Sequence, residues 1–168
     1  PSRVDSSTRP SDEALKQLTD RILAAKNPVI MAGHELSSRN ALSEAAKFAE
    51  LLGAPVYQQT VPYSAQYLSE HPSFMGALTR SQTQVRSILA AHDLLICLGA
   101  DVLRMSVSSP TEPLPDGMPV IQIGERDWEL GKNYPSEMAM QANVKETLRA
   151  LVSSLEIRLS SEDRSAAV

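Results

Sequence analysis

The sequence predicts an α/β domain of three-layer, Rossmann-like architecture, with about six parallel strands and helices on both faces of the sheet. Three observations carry that prediction. Short continuous apolar runs alternate with longer stretches whose apolar residues recur at helical spacing. Glycines end the clearest runs, at Gly33, Gly99 and Gly124. One long connection rich in serine and proline, residues 101–117, follows the carboxyl end of the most apolar run. Strands covered on both faces need no polar side, so their sequences read as unbroken apolar runs.

Residues 1–10 read as a linker. Ser11 is placed to cap a first helix, with Asp12 and Glu13 at its positive end and Leu15, Leu18 and Ile22 on one face. Asn27-Pro28 interrupts the chain, Pro28-Val29-Ile30-Met31-Ala32 forms a strand, and Gly33 stops it. The next helix carries Leu42, Ala45, Ala46, Ala49 and Leu52 inward and closes at Gly53. Ala54 to Gln58 is a strand, followed by an expected short helix near 64–69 and a weak strand at 73–76. Val85, Ile88 and Leu89 mark another helix. Asp93 to Leu98 is the expected central strand, with Cys97 buried in it. Met118 to Ile123 and Met138 to Ala142 supply two more strands, and Val144, Leu148, Leu151, Val152 and Leu155 a closing helix. Residues 156–168 read as a second linker or tail, which places the domain at 11–155.

Composition narrows the function. A length of 168 residues, 42% hydrophobic and 21% charged, suits one globular domain. A net charge of -4 leaves no basic excess for a phosphate backbone, so nucleic acid is not an expected partner. No apolar run approaches the roughly 18 residues of a membrane span, and the opening residues lack the apolar stretch of a secretory signal. A cytoplasmic protein is expected. The lone Cys97 reads as a packing residue in a reducing compartment. Both ends are polar, as in a piece cut from a larger chain.

The candidate ligand edge is Gly33, His34, Gly99, Asp101, Arg104 and Gly124, all just beyond the carboxyl ends of strands. The glycines either let a ligand approach the backbone or simply turn the chain. A nucleotide phosphate is placed at an expected helix start near Ser37-Ser38. Neither a dinucleotide nor a P-loop fingerprint is present. His34, His71 and His92 have no second histidine or cysteine at metal-ligand spacing, so no metal site is expected. His92 and His71 read as helix-end and turn residues. His34, with Glu35 beside it, is the acid–base pair of an alternative reading as a free-standing enzyme. No serine stands in a nucleophile elbow. Trp128 and Tyr134 read as packing residues, and Arg104 as either an anion holder or a solvated side chain.

Five segments, in order, resemble the central domain of thiamine-diphosphate-dependent enzymes. They are Ala24 to Gly33, Ala49 to Val56, His71-Pro72-Ser73-Phe74-Met75-Gly76, Ala91 to Gly99, and Ile121 through Gly131-Lys132-Asn133-Tyr134-Pro135 to Lys145. The resemblance covers roughly residues 11–155 and implies a parent with amino- and carboxyl-terminal domains that hold thiamine diphosphate and Mg²⁺ in a homo-oligomer. It implies no catalytic residue in this chain. The family's Gly-Asp-Gly motif is absent, since Pro115 precedes Asp116-Gly117. Gly99-Ala100-Asp101-Val102-Leu103-Arg104 is similar to the run in benzoylformate decarboxylases, but Met105, Ser106 and Val107 stand where those enzymes carry an active-site histidine. The resemblance thus implies a 2-oxo acid decarboxylase or carboligase as parent. The alternative is a regulatory domain binding FAD or ADP, although the FAD-binding synthases' arginine pattern is missing. Without its neighbours, the 101–117 segment is expected to have few backbone partners and to be mobile, with Arg104 in solvent.

Overall fold

The computed structural model describes residues 2–166, with side-chain environments through residue 161. Its centre is one six-stranded sheet in the order β3-β2-β1-β4-β5-β6, every neighbouring pair parallel. The strands are β1 (Pro28–Ala32), β2 (Val56–Gln58), β3 (Phe74–Ala77), β4 (Leu94–Leu98), β5 (Val120–Gly124) and β6 (Met138–Gln141). β1, β4 and β5 are buried at every residue, as their continuous apolar runs require. The chain builds outward from β1 to β3 and then crosses back to β4, so the order reverses between β1 and β4. That reversal is where open α/β sheets place ligands.

The two-residue pleat sorts the strands' side chains onto opposite faces. Ile30, Ala32, Leu94, Ile96, Leu98, Ile121 and Ile123 meet α1 (Asp12–Ala24), α3 (Leu42–Leu52) and α5 (Val144–Ala166), with Phe48 and Leu148 at full burial. Val29, Met31, Leu95, Cys97 and Val120 face the other way, onto α4 (Gln82–Leu89) and the segment after β4. Capping sets the helix limits. Ser11 Oγ accepts the Ala14 amide at 3.2 Å, and Ser81 Oγ accepts the Gln84 amide at 3.3 Å. Helix α3 ends at Gly53, φ 60°, with the Ala54 amide reaching back to the Ala49 carbonyl at 3.1 Å.

Four local expectations change. Residues 64–69 are irregular, with bends at 64 and 67 and a turn at 69, not a helix. Their hydrogen bonds go to side chains: the Gln66 amide donates to Gln58 Oε1 at 3.1 Å, and the buried Tyr67 ring puts its hydroxyl 2.8 Å from Ser73 Oγ. Ser37-Ser38 close the five-residue helix α2 (His34–Ser38), and the next helix starts at Leu42, so no helix begins there. Helix α5 continues through 156–166, the stretch read as tail. Trp128 is 64% exposed, whereas Tyr134 packs on the second core face.

The 101–117 segment is the largest correction. It takes the place of a crossover helix, burying Val102 and Leu103 against the sheet. Its carbonyls have partners. The Thr60 hydroxyl donates to Arg104 (2.7 Å), Asn133 to Val102 (2.9 Å), and Arg86 to Glu112 and Leu114 (3.1 and 3.0 Å). Gln82 also donates to Val107. These donors come from two other loops and from α4, and no local pattern announces them.

Candidate functional site

The carboxyl edge at the strand reversal has an inner and an outer layer. The inner layer begins with the three strand-ending glycines. A Cβ on Gly33 would lie 2.2 Å from both the Gly99 carbonyl oxygen and the Ala100 Cα, so the ends of β1 and β4 approach only because Gly33 has no side chain. Gly99 has φ 57°, and a Cβ there would lie 2.3 Å from the Glu35 Cβ. At Gly124 a Cβ would meet Glu35 Oε2 at 3.2 Å. The gaps at Gly99 and Gly124 thus accommodate Glu35 itself.

Glu35 is 6% exposed. Its carboxylate accepts the Glu125 amide at 2.9 Å and Arg126 Nε at 3.2 Å. Arg126 also donates through Nη2 to Asp101 Oδ1 at 2.7 Å, and Asp101 is 4% exposed with its own amide on Gln59 Oε1 at 3.0 Å. Burial alone would lower the Arg126 pKa, but the adjoining Asp101 and Glu35 carboxylates outweigh it and hold the guanidinium above its usual range. The space left among these groups is about 10 Å³, room for one water at most.

The outer layer is open. Arg104 is 63% exposed and donates to the Tyr63 hydroxyl at 3.3 Å. Its approach to Asp101 is 3.7 Å, longer than that of Arg126 to the same carboxylate. The Tyr63 ring stands edge-on to His34, with centroids 6.4 Å apart, and His34 Nδ1 lies 3.5 Å from Ser64 Oγ. Leu103, just before Arg104, is buried at φ 49°, an unfavourable conformation for a branched side chain that fixes where the arginine emerges. Beside Arg104 runs a groove of about 490 Å³, flanked by Lys132 and Tyr134. Burial and the Glu112 carboxylate push the Tyr134 hydroxyl up to about 12.

The structure thus gathers all six candidate edge residues at one place but divides them. Gly33, Gly99, Gly124 and Asp101 belong to the filled interior, and His34 and Arg104 to the exposed rim. Glu35 is not paired with His34 as acid and base, because both its oxygens serve Glu125 and Arg126. Arg126, Gln59 and Tyr63 went unrecognised in the sequence. A signal for the first was present: Gly33-His34-Glu35, Gly99-Ala100-Asp101 and Gly124-Glu125-Arg126 each place a charge two residues beyond a strand-ending glycine. His71, between Glu50 and Ser73, and His92, near the Asn27 carbonyl, precede β3 and β4 and so lie at the opposite edge. Cys97 is buried, and burial pushes its thiol far above the ordinary range.

Thiamine diphosphate with Mg²⁺ does not fit these residues. Among the described residues no cluster of three or more His, Cys, Asp or Glu side chains could hold a metal ion, and the inner crevice is occupied by protein. No described helix is long and apolar enough to cross a membrane.

Residues 15–151 match the family model described as thiamine pyrophosphate enzyme, central domain. The chain is 27% identical over 150 residues to benzoylformate decarboxylase of Pseudomonas aeruginosa, covering 89% of this chain and 28% of that protein. The structure of the thiamine diphosphate-dependent 4-hydroxybenzoylformate decarboxylase of Rhodococcus jostii RHA1 superposes with a TM-score of 0.84 at 29% identity, over 92% of this chain and 29% of that one. Benzoylformate decarboxylase of Polynucleobacter necessarius gives 0.83 at 25% identity, over 91% and 29%. The chain therefore spans under a third of these relatives' length. The parallel sheet and the match along 15–151 agree on one placement: this chain belongs to the central-domain family of thiamine-diphosphate-dependent enzymes.

Proposed function

We propose that the chain is the central, wall-forming domain of an enzyme that breaks or forms a carbon–carbon bond of a 2-oxo acid, as a decarboxylase or carboligase, and that alone it is inactive. One observation carries the reading. Three of the matched relatives are named as benzoylformate or 4-hydroxybenzoylformate decarboxylases, and the 28–29% of each that corresponds to this chain presents here an exposed rim of His34, Tyr63 and Arg104, not a cofactor ligand set. The amino- and carboxyl-terminal domains of the parent supply the thiamine diphosphate and Mg²⁺ sites and pack on this domain, within a cytoplasmic homo-oligomer. Arg104, positioned by buried Leu103, offers a charged fork to an anionic group at the boundary between domains. The amino-terminal domain limit at residue 11 stands on the same reading, while α5 carries the domain past the carboxyl limit of 155 expected from the sequence. Binding of FAD or ADP is not favoured, because the space beside Glu35 at the ends of β4 and β5 is only about 10 Å³.

Isothermal titration of the chain with thiamine diphosphate in the presence of Mg²⁺ tests the proposal. No binding heat is expected. Micromolar affinity would show that the chain holds the cofactor itself, and the wall-domain reading would fall.

A further inference from the structure

The sheet has the strand order and the glycine-ended strands of a nucleotide-binding crevice, yet the crevice is closed by one side chain. We propose that Glu35 is the domain's own occupant of that crevice: its carboxylate takes the place of a bound phosphate or carboxylate, and its bulk excludes anionic ligands. Three facts converge on this. A Cβ at Gly99 would collide with Glu35 at 2.3 Å, and one at Gly124 would press on its carboxylate at 3.2 Å. The donors that meet it, the Glu125 amide at 2.9 Å and the Arg126 guanidinium at 3.2 Å, are a backbone N–H and a cationic fork, the groups that recognise a phosphate oxygen. The carboxylate is 6% exposed in a space with about 10 Å³ to spare, so nothing larger than water can join it.

Asp101 makes the site selective for an anion of low charge. It takes the second arm of Arg126 at 2.7 Å, so the cation that meets Glu35 is shared between two carboxylates, with Arg104 a further 3.7 Å from Asp101 on its outer side. Truncating Glu35 leaves one donor set, half of one guanidinium, and a hole the size of a small carboxylate. Formate and acetate fit it, and inorganic phosphate fits it less well because its second charge opposes Asp101.

Melting temperatures of the full chain and of Glu35→Ala and Glu35→Gln, with formate, acetate, phosphate or ADP, test the proposal. For Glu35→Ala, formate is expected to raise the melting temperature by roughly 5 °C at saturation, with acetate close behind and chloride at equal ionic strength inert. The native chain and Glu35→Gln, in which the space stays filled, should respond to none of these ligands beyond the chloride control. A folded Glu35→Ala chain without a formate response would overturn the proposal, as would a Glu35→Gln chain that responds as strongly as Glu35→Ala. Should Glu35→Ala fail to fold without formate, refolding with and without it gives the same readout as a yield. The native chain supplies an independent check by amide exchange with ADP. Protection confined to Gly33, Gly99 and Gly124 would show that the crevice opens to nucleotides and that Glu35 does not exclude them.

Discussion

Replacing Arg126 with methionine isolates the energetics of the inner layer. The substitution keeps much of the side-chain volume but removes the cation shared by Glu35 (3.2 Å) and Asp101 (2.7 Å), which are only 6% and 4% exposed. Removing one partner of a buried ion pair costs about 3–5 kcal/mol, because the remaining charge is left desolvated. Two carboxylates would lose their shared cation here, yet Asp101 keeps Arg104 at 3.7 Å and the arginine side chain is itself 30% exposed, so water can enter and relieve part of the cost. A loss of about 2–4 kcal/mol is expected, near 5–15 °C in melting temperature for a domain of this size. Urea denaturation gives the free energy, provided the slope with denaturant is unchanged. Adding Asp101→Asn to Arg126→Met should return at least a third of the loss, since it removes one stranded charge, and the double-mutant cycle should show a coupling of about 1–2 kcal/mol. A loss below about 0.5 kcal/mol for Arg126→Met would show that the cluster is solvated and the inner layer does not hold the edge together.

Two further substitutions probe the backbone and the charge at the opposite edge. Gly99→Ala is expected to abolish folding or cost over about 3 kcal/mol, since φ 57° and a 2.3 Å collision with Glu35 combine, while Gly53→Ala, at φ 60° but with nothing within 4 Å, should cost only about 1 kcal/mol. Equal losses in thermal melts would refute the close-packing argument. Asp93 accepts the Lys26 and Asn27 amides at 2.7 and 2.9 Å. Burial alone would raise its pKa, but these amides and Arg21 hold it below the usual carboxylate range. A depressed folded-state pKa means that the stabilisation is fully present above the unfolded value of about 4 and is lost as pH falls through the lower folded value. Asp93→Asn should therefore destabilise at pH 7 by no more than about 1 kcal/mol, because the exposed carboxylate is screened by solvent, and by much less near pH 2.5, as read by urea melts at the two pH values; a pH-independent difference would contradict it.

What was legible in the sequence follows burial on two faces. β1, β4 and β5 declare themselves because a strand covered on both sides can carry almost nothing polar, and Gly53 marks the end of α3 because a left-handed residue was needed there. The failures lie where structure depends on a distant partner. The 64–69 stretch has the composition of a short helix, but Gln58 and Ser73 claim its hydrogen-bonding groups. The 101–117 segment contains little that would hold it, and the donors that do hold it are Thr60, Gln82, Arg86 and Asn133. Helix α5 outlasts its apolar stripe because its last turns carry no residue that stops a helix, with neither Gly nor Pro after Pro135.

The candidate site shows a subtler limit. A glycine at a strand end reports that something must come close to the backbone, and it does so whether that something is a ligand or another part of the chain. Gly33, Gly99 and Gly124 therefore lie at the carboxyl ends of β1, β4 and β5 without revealing, as residues, what fills the edge. Deciding between the two needs the charges. A site built for a nucleotide phosphate would leave its cation free at the crevice, whereas here the residues two positions beyond the three glycines are Glu35, Asp101 and Arg126, two anions around one cation. Since Glu35 and Arg126 are 91 positions apart, their pairing depends on β1, β4 and β5 lying side by side in parallel, with the carboxyl ends level. That alignment is itself a consequence of the apolar runs. The sequence thus contains both the strands that bring the charges together and the charges that close the crevice, and only the strand order connects them.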